Sequence, residues 1–386
     1  MLIGIDASNI RRGGGITHLR ELLVSAKPEL SGIKKVFIWS CRSTLDQIED
    51  RPWLEKIHLP ILEKNFVIRG FWQRLALSNL ARSRDCDLLY VPGGSFAGDF
   101  KPVVSFSQNL LPFEWRELSR FGFSGMMVKM LLLRIVQSQT FRNSTGVVYL
   151  TKYSKIAVEK VINVTPGRIS IIAHGVDHRF NNKPRVQKEL NTYSLENPLR
   201  IIYVSIIDVY KHQWNVVEAI AKLRKEGLPV CLELVGQSTL KGMTKLQKVI
   251  MRHDPEGEFV QYDGAVPFQE LHHKYSTADI AIFASSCENM PNILLESMAS
   301  GLPIACSDRG PMPEILMDAG VYFDPEKPSS IAKAVSTLLN SAVLRQQKSE
   351  LAYSLSQTYS WEKCAVETFN FLRTTALSCQ KGEINV

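Results

Sequence analysis

Short apolar runs alternate with amphipathic stretches along the whole chain. In the first half Leu2–Asp6, Val36–Trp39, Leu88–Val91, Val103–Phe106, Gly146–Leu150 and Ile169–Ile172 read as strands, and helices are predicted near 16–26, 70–82, 126–142 and 152–162. A second series starts at Arg200–Ser205. It continues as helix 213–226, strand 230–235, helix 239–252, strand 258–262, helix 268–276, strand 279–284, helix 292–300 and strand 302–306, with helical stretches at 329–340, 342–357 and 361–377. Strands that alternate with helices predict an α/β protein with parallel sheets, because parallel neighbours need a crossover between them. Residues 181–198 are polar, rich in Pro and Asn, and aperiodic, so a boundary is expected there. The expectation is two Rossmann-like, doubly wound domains, 1–180 and 198–360, facing each other across a cleft. The C-terminal helix, about 361–386, is free to pack back on the first.

Composition narrows the class. A chain of 386 residues that is 45% hydrophobic is long enough for two cores. Its seven cysteines are odd in number, scattered and never spaced CxxC, which fits reduced thiols rather than a disulfide frame or zinc site. The N-terminus, MLIGIDASNI, lacks the basic start and long apolar core of a signal peptide. The longest apolar run, Met126–Val136, is interrupted by Lys129 and Arg134 and is far short of the ~20 residues that span a bilayer. A cytoplasmic protein is expected.

The net charge of +8 is unevenly spread. Between Glu63 and Asp85 there is no acid but Lys64, Arg69, Arg74, Arg82 and Arg84. Between Glu117 and Glu159 there is again none, but Arg120, Lys129, Arg134, Arg142, Lys152 and Lys155. Both stretches are also rich in large apolar residues. Such a mixture suits a surface resting on anionic lipid, and equally a buried helix with solvated basic ends. For 115–142 the two readings balance; for 64–84 burial is favoured. No nucleic-acid motif or aromatic stacking pattern is present.

The most informative segment is Glu288-Asn289-Met290-Pro291-Asn292-Ile293-Leu294-Leu295-Glu296. It follows an apolar strand and opens a helix, the place where an α/β sheet binds ligands. Glu288 lies on the turn and Glu296 about two helical turns on, so one molecule could meet both carboxylates and the backbone N–H groups of 290–293. Carboxylates suit hydroxyls and N–H donors suit phosphates; a nucleotide sugar carries both. A glycosidase pair is disfavoured, because one acid sits inside a helix. Taken singly, Glu288 could be an N-terminal helix acid and Glu296 a surface glutamate.

Other positions point the same way more weakly. Lys211, just past the first strand of the second series, can neutralise a diphosphate, with His212 beside it more readily structural. Gly13, Gly14 and Gly15 after the first strand allow close backbone approach, or form a flexible loop. Asn109, in Gln108-Asn109-Leu110-Leu111, positions a ligand oxygen or caps a turn. Arg309 in Asp308-Arg309-Gly310 reaches phosphate or braces its loop. His174-Gly175-Val176-Asp177 reads as a hinge. No metal-binding acidic pair is found.

These residues together resemble the retaining glycosyltransferases of group 1 (family four). The resemblance rests on the ENMPNILLESMASGLPI segment, the GGG near the N-terminus, the strand-end lysine, HGVD, and Tyr359-Ser360-Trp361 opening the last helix. It covers essentially the whole chain and implies the GT-B architecture. YVSIIDVYKHQWNVVEAIAKLR and GPMPEILMDAGVYFDP resemble the subgroup that builds bacterial O-antigen and capsule, which points to GDP-mannose as donor.

By that resemblance Glu288 bonds hydroxyls of the donor sugar, Glu296 holds the ribose, and Lys211 stabilises the leaving diphosphate. Gly14 and Gly15 give clearance or N–H donors there, and Asn289, Pro291, Asn292 and Ile293 form the turn that presents amides. No cofactor or metal is implied. The implied partners are a nucleotide sugar, a lipid-linked or oligosaccharide acceptor, and the inner face of the cytoplasmic membrane.

Two departures stand out. Ser205-Ile206-Ile207 lacks an arginine that many members carry, and Gln108 and Asn109 stand where many have a histidine. A nucleotide-sugar epimerase, or a membrane-associated partner without turnover, are the rival readings.

Overall fold

The computed structural model describes residues 1–11, 13–163 and 167–382. Thirteen strands occur among the described residues, in chain order: β1 Leu2–Asp6, β2 Lys35–Ser40, β3 Leu54–His58, β4 Leu88–Val91, β5 Val103–Ser107, β6 Gly146–Tyr149, β7 Arg168–Ile171, β8 Leu199–Val204, β9 Val230–Val235, β10 Val260–Gly264, β11 Ile280–Phe283, β12 Ile304–Ser307 and β13 Gly320–Phe323. They form a seven-stranded sheet, β3-β2-β1-β4-β5-β6-β7, and a six-stranded sheet, β10-β9-β8-β11-β12-β13. Every pairing is parallel.

The sequences explain this. β4 (LLYV), β6 (GVVY), β11 (IAIF) and β12 (IACS) are buried at every position. Strands with both faces covered read as continuous apolar runs. β3 (LEKIH) mixes charge into its pattern, lies at a sheet edge and is only half-buried. Sequence periodicity passes over it, as it does over β13. The helix expected at 70–82 begins earlier, as Phe66–Trp72, and runs through a π-helical turn at Gln73–Leu77 into Ser78–Arg82.

The chain divides into two compact units. Met1–Gly175 with Ser360–Val386 forms the first, and Val176–Tyr359 the second. The C-terminal helix Trp361–Gln380 belongs to the first unit and buries Trp361, Phe369 and Leu372 there, with Ser31 Oγ donating to Asn370 Oδ1 at 2.8 Å. Residues 181–198 lie inside the second unit. They are tied down by polar contacts that periodicity does not reveal: Asn182 N donates to Ala299 O (2.9 Å), Gln187 N to Gln346 Oε1 (3.1 Å) and Tyr193 Oη–H to Asp279 Oδ1 (3.2 Å).

In each sheet chain order reverses beside the first strand, between β1 and β4 and between β8 and β11. The carboxyl ends of such a strand pair make the natural ligand crevice of the sheet.

Candidate functional site

In the second unit β8 and β11 deliver the two groups singled out above. Past β8 the chain turns through Asp208-Val209-Tyr210-Lys211, and Tyr203 on β8 fixes that turn by donating Oη–H to Lys211 O at 2.7 Å. Past β11, Ser286 N donates to Tyr210 O at 2.9 Å and ties the two loops together. The Lys211 ammonium is thereby directed onto Glu288 and donates to its Oε1. Its Nζ also lies 5.1 Å from the Tyr210 ring centre and 5.7 Å from that of Phe283. Lys211 is buried, and the Glu288 side chain is 15% exposed. A cation and an acceptor meeting at the switch point can serve a ligand that brings both an anion and hydroxyls.

Glu296 is the second acid of the motif. It sits midway along the helix Asn292–Ala299 and is buried. Tyr275 donates its Oη–H to Glu296 Oε2 at 3.4 Å. Burial pushes the carboxyl up to about 8; the Tyr275 hydrogen bond and Arg179 oppose this, and Asp177 adds to it. Arg179 gives Glu296 little relief because it is committed to Asp177, at 2.6 and 3.1 Å. Lys211 joins Glu288 directly, whereas Glu296 has its own neighbours, Tyr275, Asp177 and Arg179.

The turn between the acids is tight. Pro291 precedes the helix, and its carbonyl accepts from Leu294 N and Leu295 N at 3.1 and 3.4 Å. Asn289 is buried, and Asn292 Oδ1 is buried with no hydrogen-bond partner among the described residues. Ile293 O accepts from Ser297 Oγ at 2.8 Å. The loop Asp308-Arg309-Gly310 passes beside Glu288: a Cβ on Gly310, whose φ is +57°, would come 3.9 Å from Glu288 N. Arg309 itself pairs with Asp324 at 3.0 Å and Asp308 at 3.3 Å, and the Asp324 bond raises its pKa. His212, at φ +55°, opens the helix Gln213–Lys225 and shares a hydrogen bond with Ser286 Oγ at 2.9 Å.

Gly14, Gly15 and Asn109 belong to the first unit. Gly14 and Gly15 are not loop residues; they form the first turn of the helix Gly14–Ser25, entered through Gly13 at φ +69°. A Cβ on Gly15 would approach Gln108 Oε1 at 3.0 Å, so helix and strand end lie close. Asn109 Oδ1 accepts from Leu111 N at 3.2 Å and thereby caps its turn. The sequence reading missed Tyr275 and the Asp177–Arg179 pair around Glu296. Tyr275 and Arg179 carry no motif, Asp177 closes the hinge segment HGVD, and only the fold brings them to Glu296.

Residues 198–341 match the family model described as glycosyl transferases group 1. One relative is the O-antigen chain mannosyltransferase B of Escherichia coli, 29% identical over 125 residues, 32% of each chain. The chain matches 32% to 59% of the length of the first relatives found. Among solved structures, the sucrose-phosphate synthase of Thermosynechococcus elongatus superposes with a TM-score of 0.75 at 15% identity, covering 98% of this chain and 100% of that one. Anabaena HepE in complex with UDP-glucose superposes with a TM-score of 0.70 at 15% identity, covering 98% and 100%. The fold is that of the GT-B glycosyltransferases.

Proposed function

We propose, from the match of residues 198–341 to the family model described as glycosyl transferases group 1, that the protein is a retaining glycosyltransferase. In this reading it moves a hexose, mannose from GDP-mannose, to a hydroxyl of a lipid-linked or oligosaccharide acceptor in bacterial surface-polysaccharide synthesis. The observation that carries the reading is the Lys211–Glu288 contact at the switch point of the sheet, inside the matched segment. The mannose assignment leans on the name of the O-antigen relative.

Lys211 meets the diphosphate of the donor and Glu288 the sugar hydroxyls. The bond from the anomeric carbon to the diphosphate breaks, and its electron pair leaves on phosphate oxygen. The acceptor oxygen bonds to the same face of that carbon, and its proton passes to the departing diphosphate. The protein positions the reactants and stabilises the developing charge. Glu296 and the turn Asn289–Ile293 hold the nucleotide. With Arg309 and His212 engaged locally, Lys211 is the cation assigned to the leaving group.

A peripheral position on the inner face of the cytoplasmic membrane goes with this reading. The helix Gly125–Asn143 exposes Met126, Val128, Leu132 and Ile135 and buries Gln137, Ser138 and Thr140. No described helix is long and apolar enough to cross a membrane. Apolar exposure beside Lys129 and Arg134 suits an anionic lipid surface.

The test is a panel of UDP-, GDP- and dTDP-sugars, scored by the rise in melting temperature. A ligand at a hundred times its Kd adds about 2.7 kcal/mol. One nucleotide sugar is expected to stabilise the wild type and to lose that effect in Lys211→Ala. Absence of stabilisation by any of them, or an undiminished effect in the variant, refutes the assignment.

A further inference from the structure

Two aromatic rings flank the Lys211 ammonium. Its Nζ stands over the face of Tyr210, 5.1 Å from the ring centre, and over that of Phe283 at 5.7 Å. Lys211 is 5% exposed and Phe283 2%, so little water reaches the charge. The fold fixes both rings. Phe283 ends β11, and Tyr203 on β8 packs edge-on against it at 6.1 Å between ring centres. The Tyr210 carbonyl accepts from Ser286 N at 2.9 Å and from Ser286 Oγ at 3.2 Å. Lys211 N closes the turn by donating to Asp208 O at 3.0 Å.

A buried ammonium needs compensation, and Glu288 supplies part of it. A second carboxylate would supply more, but it would also repel an incoming diphosphate. The face of an aromatic ring carries partial negative charge without net charge, and its pull on a cation is strongest where water is excluded. An ammonium held by rings therefore keeps its charge for a ligand. Burial, then the Glu288 carboxylate, pushes the Tyr210 phenol well above its ordinary value, so the ring stays neutral beside the cation. The placement of Lys211 matters because Ser205-Ile206-Ile207 carries no charge and Arg309 is committed to Asp324 and Asp308.

We propose that Tyr210 is a positioning residue for sugar transfer: its ring, with that of Phe283, holds the Lys211 ammonium in place for the departing diphosphate without neutralising it. The part played in transfer rests on the transferase reading; the hold on the ammonium does not.

The hold is read from stability alone, by denaturant melts of the full chain carrying Tyr210→Leu, Lys211→Met or both. The two losses are expected not to add, with a coupling of roughly tenfold in the unfolding equilibrium. With Tyr210→Phe in place of Tyr210→Leu they should add, because the ring face remains. The role in transfer is read with whichever nucleotide sugar stabilises the wild type. Tyr210→Leu should lower kcat roughly tenfold and leave the donor KM within about threefold, because the charge that the ammonium meets grows as the diphosphate departs. Tyr210→Phe should rescue kcat. If Tyr210→Leu fails to fold, pentafluorophenylalanine at position 210 keeps the shape and removes the negative face; it should reproduce the fall in kcat.

Losses that add for Tyr210→Leu overturn the proposal. So does a fall in kcat that Tyr210→Phe shares, or a wild-type kcat in the leucine or fluorinated enzyme. A wild type that transfers from no nucleotide sugar, while the coupling persists, removes the transferase reading and leaves Tyr210 as the holder of the ammonium.

Discussion

Nδ1 of His18 lies 3.0 Å from Nδ1 of His174 in the buried interior of the first unit. Phe106 stacks on His18 at 4.6 Å between ring centres, and Trp361 tilts against both histidines at 5.7 and 5.6 Å. One Nδ1 must carry the shared proton and the other must accept it, so the pair holds together only while at least one ring is neutral. Burial lowers the pKa of both, that of His174 to about 3, and the His174 ring further disfavours a charge on His18.

The pH dependence of stability follows from that pair. Both folded-state values lie below the ordinary 6.5, so the unfolded chain binds more protons as pH falls beneath 6.5. The stabilisation is complete above that pH and declines toward pH 3, at up to about 1.4 kcal/mol per pH unit for each ring. Denaturant melts of wild type and His174→Gln between pH 4 and 7 check this; the variant is expected to show the shallower slope.

Glu296 predicts the opposite sign in the second unit. Its folded value, about 8, lies above the ordinary 4.5, so the folded chain binds the extra proton between those limits. Stability should be full below 4.5 and fall as pH rises toward 8, again by up to about 1.4 kcal/mol per unit. Glu296→Gln should flatten that slope. A variant that loses as much stability as the wild type between pH 5 and pH 8 would count against a buried neutral carboxyl.

Breaking the Lys211–Glu288 pair should cost both folding and ligand response. Removing one partner leaves the other charge buried without compensation, worth roughly 3 kcal/mol for well-buried pairs. Glu288→Ala is expected to lower the melting temperature and abolish sugar transfer, measured with whichever donor stabilises the wild type. The double variant Lys211→Met with Glu288→Leu should recover stability without recovering transfer.

Gly175 tests the crowding beside the histidines. A Cβ there would come 2.2 Å from Trp361 N and 2.5 Å from Ser360 C, both backbone atoms, so main chain would have to shift. Gly175→Ala should destabilise the first unit by about 2 kcal/mol or more. A melting curve indistinguishable from wild type would mean the backbone there is free to shift.

Much of the fold was readable from the sequence because buried parallel strands declare themselves. β4, β5, β6, β8, β9 and β11 are apolar runs bounded by turns, and the structure has them where periodicity places them. β3 escaped because Glu55 and Lys56 interrupt its pattern, and residues 181–198 looked like a linker because side-chain hydrogen bonds have no period. Lys211 and Glu288 could be paired in advance because both follow neighbouring strands of one sheet. The surroundings of Glu296 and the His18–His174 contact join positions far apart in the chain. Only the completed fold brings them together.

The helix Trp361–Gln380 completes a core whose other elements all precede Gly175. During synthesis the ribosome makes Val176–Tyr359 in full before this last piece emerges. The earlier-made half must therefore wait, its groove for Phe369 and Leu372 open, while the later-made half can already close. A chain stopped near residue 358 would carry a finished second unit tethered to an unfinished first one.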